Sequence, residues 1–248
     1  MNKTNKYVKA TFKSRPNRFI AEVEVGGEIA IAHVPNTGRC KELLVDGATV
    51  YLMPSDNPDR KTKFSLLFVK NNGALVSIYS QEANKIVYEG ILNGKIEELE
   101  GYELVEREKT VGNSRIDIYL ANKKQENKYD QINNNHDQGN DCYVEVKGVT
   151  LVKDNIAIFP DAPTERGRKH LEELVELKEK GYRAVVFFLI QHPNGDRFKP
   201  NWKTDSDFSE TLAKAQKSGV EVLVYKSKNS LNGNEIMGKA MEYNLEKY

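Results

Sequence analysis

The 248-residue chain predicts a two-domain α+β protein, with an all-β unit over residues 1–80 and an α/β unit with a mixed sheet over residues 81–248. Three observations carry this reading. The first eighty residues hold alternating apolar and polar runs broken by turn residues, the mark of half-buried strands. Beyond Gln81, segments of 3.6-residue apolar period alternate with short apolar strands. One of those strands, Ala184-Val185-Val186-Phe187-Phe188-Leu189-Ile190, is apolar throughout, as expected where both faces are covered.

In the first unit, residues 19–25 and 28–33 alternate around Gly26-Gly27, a hairpin signature. Further strands are predicted over 48–53, 64–70 and 75–79. Five or six short strands in about 80 residues point to a small barrel of OB type, a shape that holds single strands through basic and aromatic side chains. A helix over 81–98 then places Ile86, Val87, Ile91, Leu92 and Ile96 near one stripe. Strands follow over 102–111, 114–120 and 143–149, the last reaching toward Val152. A helix over 164–180 starts after Pro163, lines up Leu171, Leu174, Val175 and Leu177, and stops at Gly181. The buried strand, a helix over 207–218 and a strand over 220–225 complete the order. Residues 122–141 are rich in Asn, Gln, Lys and Asp, with Ile132 the only aliphatic side chain. Such a segment cannot offset its ordering entropy and reads as a flexible polar insertion, with no metal role for His136.

Composition narrows the function classes. A hydrophobic share of 39% and a charged share of 29% fit a soluble globular protein. Residues 1–15 hold no signal-peptide core, and no run approaches the roughly 20 apolar residues that span a bilayer. Cys40 and Cys142 show no metal-ligand spacing and read as reduced thiols of a cytoplasmic protein. A net charge of +1 is compatible with a basic cleft on an otherwise neutral surface. No Gly-x₄-Gly-Lys-Ser/Thr loop occurs, which removes a nucleotide-driven motor and a nucleotide cofactor. Oligomeric state is left open.

The chemistry lies in two strands. Side chains alternate along a strand, so Arg115, Asp117 and Tyr119 share a face, as do Tyr143, Glu145 and Lys147. Paired as a hairpin, they bring two carboxylates and one ammonium together. Mg²⁺ prefers oxygen ligands and keeps several waters, so two carboxylates suffice to seat it; Mn²⁺ suits the same donors. A neighbouring lysine orients the attacking water or stabilises charge on the phosphorus centre. The plain alternative is a solvated sheet face with a cross-strand ion pair worth under about 1 kcal/mol.

Four separated stretches carry a family likeness: His33-Val34-Pro35-Asn36-Thr37-Gly38-Arg39, Ser114-Arg115-Ile116-Asp117, Val144-Glu145-Val146-Lys147-Gly148-Val149-Thr150-Leu151 and Phe159-Pro160-Asp161-Ala162-Pro163-Thr164-Glu165-Arg166-Gly167. In this order they resemble the sugar fermentation stimulation protein A (SfsA) family across nearly the whole chain. The resemblance implies an OB-like domain followed by a PD-(D/E)xK nuclease-like domain, DNA binding, and a bacterial or archaeal cytoplasmic setting. It also implies that Asp117 and Glu145 are the metal-binding acids and Lys147 the lysine of the nuclease motif. Glu89, on the helix before the sheet, is a candidate third carboxylate.

Other candidates contact nucleic acid. Arg166, Lys169 and His170 sit at spacings of three and four on the first turns of a helix, whose N-terminus suits a phosphate. In the first unit, His33, Asn36, Thr37 and Arg39 follow a strand in a turn bracketed by Pro35 and Gly38, and Arg15 and Arg18 flank Phe19. The sequence thus predicts a DNA-binding protein, for single or double strands, with an Mg²⁺-dependent deoxyribonuclease site. Its rivals are a non-catalytic DNA-binding regulator of sugar (maltose) metabolism genes that keeps the nuclease fold, and an RNA-binding or RNA-processing protein.

Overall fold

The computed structural model of the protein describes residues 6–36, 38–111, 114–122 and 141–247. Its first unit comprises strands β1 (Val8–Asn17), β2 (Ile20–Val25), β3 (Glu28–His33), β4 (Thr49–Pro54), β5 (Phe64–Asn71) and β6 (Ala74–Ser77). The strand order is β3-β2-β1-β4-β5-β6, and β3 also pairs in parallel with β5 through Ala32↔Phe64 and His33↔Ser65. That short pairing closes β1 to β5 into the five-stranded barrel of the OB fold, with β6 added outside. The β2–β3 turn places Gly26 at φ +61° and Gly27 at +89°, which a two-residue hairpin loop of this hand requires. Strand β1 goes beyond the sequence reading. Its lysines mask an alternation whose inward members, Ala10 and Phe12, are fully buried.

The second unit comprises α1 (Ser80–Leu92), β7 (Leu104–Val111), β8 (Ser114–Ala121), β9 (Cys142–Val149), β10 (Val152–Lys153), β11 (Ile156–Phe159), α2 (Glu165–Glu179), β12 (Arg183–Ile190), β13 (Arg197–Pro200), α3 (Ser206–Lys217), β14 (Glu221–Lys228) and β15 (Glu235–Met237). The main sheet runs β15-β14-β12-β9-β8-β7. Strand β12 lies parallel to both β9 and β14, while the outer pairs are antiparallel, so the sheet is mixed. Helix α1 covers one face, where Ile86 and Val87 pack with Val144, Val146, Val185 and Phe187. Helices α2 and α3 cover the other, where Leu171, Leu174, Phe208 and Leu212 meet Val186, Phe188 and Val224. Burial on both faces is why β12 is apolar from Ala184 to Ile190.

Two predicted boundaries move. Helix α1 ends at Leu92, well before residue 98, because Gly94 adopts φ +60° and a Schellman motif closes the last turn (Lys95 N–H to Gly90 O, 2.9 Å; Gly94 N–H to Ile91 O, 3.1 Å). Ile96 nonetheless stays buried in the turn beyond. Strand β9 stops at Val149, and residues up to Phe159 form a separate small hairpin, turned by Asp154 and Asn155 at positive φ. Strands β13 and β15 are too short to be read from periodicity. The predicted polar insertion, apart from its two end residues, and His136 with it lie outside the described residues. No described helix is long and apolar enough to cross a membrane.

Candidate active site at the β8–β9 divergence

The two motif strands do pair, through Ile118↔Val144, Tyr119↔Tyr143 and Leu120↔Cys142, and the ladder stops there. Beyond Ile118 the strands diverge, and the Val146 N–H donates 2.8 Å to Asp117 Oδ2 instead of to a backbone carbonyl. The second oxygen, Oδ1, accepts from the Asn84 side-chain amide of α1 at 2.5 Å. Asp117 is therefore held by one donor from β9 and one from α1. Neither bond uses up the lone pairs of a carboxylate oxygen.

Glu145 is almost wholly buried, its side chain 3% exposed. Its Oε1 accepts from Lys147 Nζ at 2.6 Å and also meets His170 Nδ1 of α2. Lys147 Nζ and His170 Nδ1 are 3.1 Å apart, so lysine, histidine and carboxylate form one compact group. His170 Nε2 accepts from Arg166 Nε at 3.3 Å, which leaves Nδ1–H as the donor to Glu145. Glu145 Oε2 is buried and has no hydrogen-bond partner among the described residues. These groups line an open cavity of about 240 Å³, together with Phe159, Thr164 and Gly167.

The cavity separates the two carboxylates electrostatically. Burial, and then the charge of Glu145, push the Asp117 carboxyl up to about 6 against the donors that favour its ionised form. Burial alone would raise Glu145 too, but Lys147 and His170 outweigh it and hold this carboxyl below its ordinary value. Glu145 is thus the more acidic carboxyl of the pair, and Asp117 the one whose ionisation burial opposes.

Helix α2 delivers the cationic wall. Thr164 caps it, its Oγ1 accepting the Gly167 N–H at 3.0 Å. A Cβ at position 167 would lie 2.8 Å from Thr164 Cγ2 and 3.2 Å from the Phe208 ring, so glycine lets the helix start pack tightly. Asp205, which caps α3 through the Phe208 N–H, also accepts the Thr164 N–H at 2.8 Å and locks the two helix starts together.

Asp117, Glu145 and Lys147 thus come together as the sequence predicts, joined by Arg166 and His170. Other candidates are placed differently. Glu89 is exposed farther along α1, 3.6 Å from Lys85, and does not line the cavity; Asn84 takes the place expected of it. Among the described residues no group of three or more His, Cys, Asp or Glu is arranged to hold a metal. Lys169 turns away from the cavity toward Glu173, at 3.8 Å. Arg15 is no free cation: its guanidinium donates to the carbonyls of Arg18, Asn36, Gly38 and Arg39 at 2.6–2.9 Å. The Asn36 side chain is likewise committed, donating to Ile78 O and accepting from Gly38 N. His33 is half-buried, and burial, then the charge of Arg60, lowers its pKa. Arg18 and Arg39 are exposed; Thr37 lies outside the described residues. Asn84, Phe159 and Thr164 go beyond the sequence-predicted set. Only Thr164, a hydroxyl preceding a helix, carried a local signal, as a cap.

Comparison with known proteins agrees with this architecture. A family model described as the SfsA N-terminal OB domain matches residues 14–78, and one described as the sugar fermentation stimulation protein RE domain matches residues 81–233. The chain is similar to the sugar fermentation stimulation protein homolog of Methanobrevibacter smithii, 63% identical over 241 residues covering 97% of this chain and 99% of that one. The homolog from Clostridium tetani is 47% identical over 217 residues, 88% of each chain. In three dimensions the chain is similar to SfsA of Pyrococcus furiosus solved in complex with Ca²⁺, with a TM-score of 0.82 and 29% identity over 96% of each chain. With both of its domains matched and relatives aligned along almost their whole length, the chain belongs to the SfsA, or sugar fermentation stimulation protein, family.

Proposed function

We propose that the protein is a cytoplasmic DNA-binding nuclease that hydrolyses phosphodiester bonds with a divalent ion, Mg²⁺ or Mn²⁺, seated by Asp117 and Glu145. One observation carries the reading. A buried carboxylate oxygen, Glu145 Oε2, has no partner among the described residues and shares an open cavity with Asp117, a carboxyl whose ionisation burial opposes. An orphaned buried acceptor costs about 1–3 kcal/mol or more, a cost that a bound cation removes. Two carboxylates with water completing the shell suit Mg²⁺, which accepts few protein ligands. The Ca²⁺ complex of the Pyrococcus furiosus relative supports a divalent site in this fold.

The residues divide the work. A bound divalent ion supplies Lewis-acid polarisation of the phosphate and a more acidic water. Asn84 and the Val146 N–H aim Asp117; His170 and Lys147 aim Glu145. Lys147 Nζ, only 11% exposed in its side chain, is a dry point charge that stabilises the developing negative charge at phosphorus or orients the water. Arg166 and the start of α2 hold the phosphate. The barrel over residues 1–80 supplies affinity for the strand.

The test is cleavage of end-labelled single- and double-stranded DNA with Mg²⁺, Mn²⁺ or EDTA. Wild type should give metal-dependent products, and Asp117→Ala should bind DNA without cutting it. The relatives' name favours a second reading, a regulator of sugar-metabolism genes. Clean binding with no cleavage under any metal would overturn the enzyme and leave that regulator.

A further inference from the structure

We propose that Arg18, Phe19 and Arg39 form a platform for single-stranded nucleic acid, which Arg15 ties to the rim of the catalytic cavity. This deepens the nuclease reading by naming its substrate class, and rests on it. Arg15 Nη1 donates to Arg39 O at 2.6 Å and Nη2 to Arg18 O at 2.6 Å, so one guanidinium brings two distant backbone segments side by side. The backbones of Arg18 and Arg39 are thereby neighbours, and both residues are exposed. Phe19, 52% exposed, stands beside them on a backbone pinned at both ends, by Asn17 Oδ1 and by the Val34 N–H. A large exposed ring on a fixed backbone, next to two exposed arginines, offers an unpaired base a stacking surface and its phosphates two cations.

The same loop is fastened to the other domain. The Cys40 N–H donates 3.1 Å to Asp161 Oδ2, and a Cβ on Gly38 would lie 2.7 Å from that oxygen, so the loop backbone lies against Asp161. Asp161 sits in the short connection between Phe159 and Thr164, both of which line the cavity. The loop that carries Arg39 is thereby joined to the segment that borders the cavity.

Fluorescence anisotropy in EDTA tests this without depending on cleavage. The probes are labelled oligothymidylate and oligouridylate of about a dozen nucleotides and a hairpin duplex of similar charge. Single strands should bind tighter than duplex, DNA and RNA alike, because stacking and phosphate contact ignore the sugar. Phe19→Ala should weaken single-strand binding by about tenfold, the loss of one stacked base. Arg18→Glu with Arg39→Glu should flatten the logarithmic salt dependence by about 1.4, two phosphate contacts on a single strand. Arg15→Ala should weaken binding while Arg15→Lys, with fewer donors, should not restore it. Phe19 and Arg39 are surface positions, so their variants test the platform even if Arg15→Ala fails to fold. Duplex bound as tightly as single strand, with Phe19→Ala without effect, would overturn the platform and leave the nuclease reading standing. Binding of neither probe would overturn both.

Discussion

Replacing Asp117 by Asn should stabilise the metal-free protein at neutral pH while destroying its site. The native environment raises this carboxyl from 3.8 to about 6, burial being the main cause. At about 1.4 kcal/mol per pKa unit, the rise amounts to about 3 kcal/mol. The sign follows from linkage: a folded pKa above the unfolded one means stability is full below pH 3.8 and is lost as pH climbs through 6. Asparagine carries no charge, so it escapes this loss. Its Oδ1 can accept the Val146 N–H, and its amide can face a flipped Asn84, so both hydrogen bonds survive. Chemical denaturation in EDTA should therefore show Asp117→Asn more stable than wild type by about 2–3 kcal/mol at pH 7.5, with the gain shrinking toward zero near pH 4. Added Mg²⁺ or Mn²⁺ should stabilise wild type and leave Asp117→Asn unmoved. A variant no more stable than wild type at pH 7.5, or a gain that persists unchanged at pH 4, would refute the reasoning.

Further outcomes follow from the packing. Asp205→Ala removes the acceptor shared by Phe208 N–H and Thr164 N–H, and urea denaturation should show a loss of about 2–4 kcal/mol. Gly38→Ala drives a methyl group to 2.7 Å from Asp161 and 2.8 Å from Asn36, so it should cost about 1–3 kcal/mol by the same measurement. Glu89→Ala should leave metal-dependent cleavage within about twofold of wild type, since its carboxylate lies outside the cavity. Lys147→Met should reduce single-turnover cleavage by about 100-fold or more while substrate affinity changes little.

Much of this architecture could be read before any coordinates. The two motif strands announced themselves because Ile116, Ile118 and Leu120 alternate with Asp117 and Tyr119, and the core needs that alternation. Gly26-Gly27 marked its hairpin by backbone chemistry that few other pairs satisfy. What escaped were properties set by distant partners. Arg15 looks like a nucleic-acid contact in sequence, and only the fold shows four carbonyls around it. Glu89 was the better metal ligand by type, yet the helical phase places Asn84 beside Asp117, five residues earlier. His170 braces Glu145 from α2, a contact between elements far apart in the chain that the local spacing of Arg166, Lys169 and His170 does not reveal. Small strands such as β13 and β15 exist through their neighbours and have too few residues to show a period.

The most direct test of the central claim pairs metal binding and cleavage in one protein, Lys147→Met. Mn²⁺ affinity measured by paramagnetic resonance and Mg²⁺-dependent cleavage of end-labelled DNA would be followed side by side with wild type. If Asp117 and Glu145 seat the ion and Lys147 serves the chemistry, the variant should still bind one Mn²⁺ and cut at least about 100-fold more slowly. Cleavage at the wild-type rate in Lys147→Met, or in an Asp117→Ala protein that binds no metal, would place the chemistry elsewhere and contradict the account.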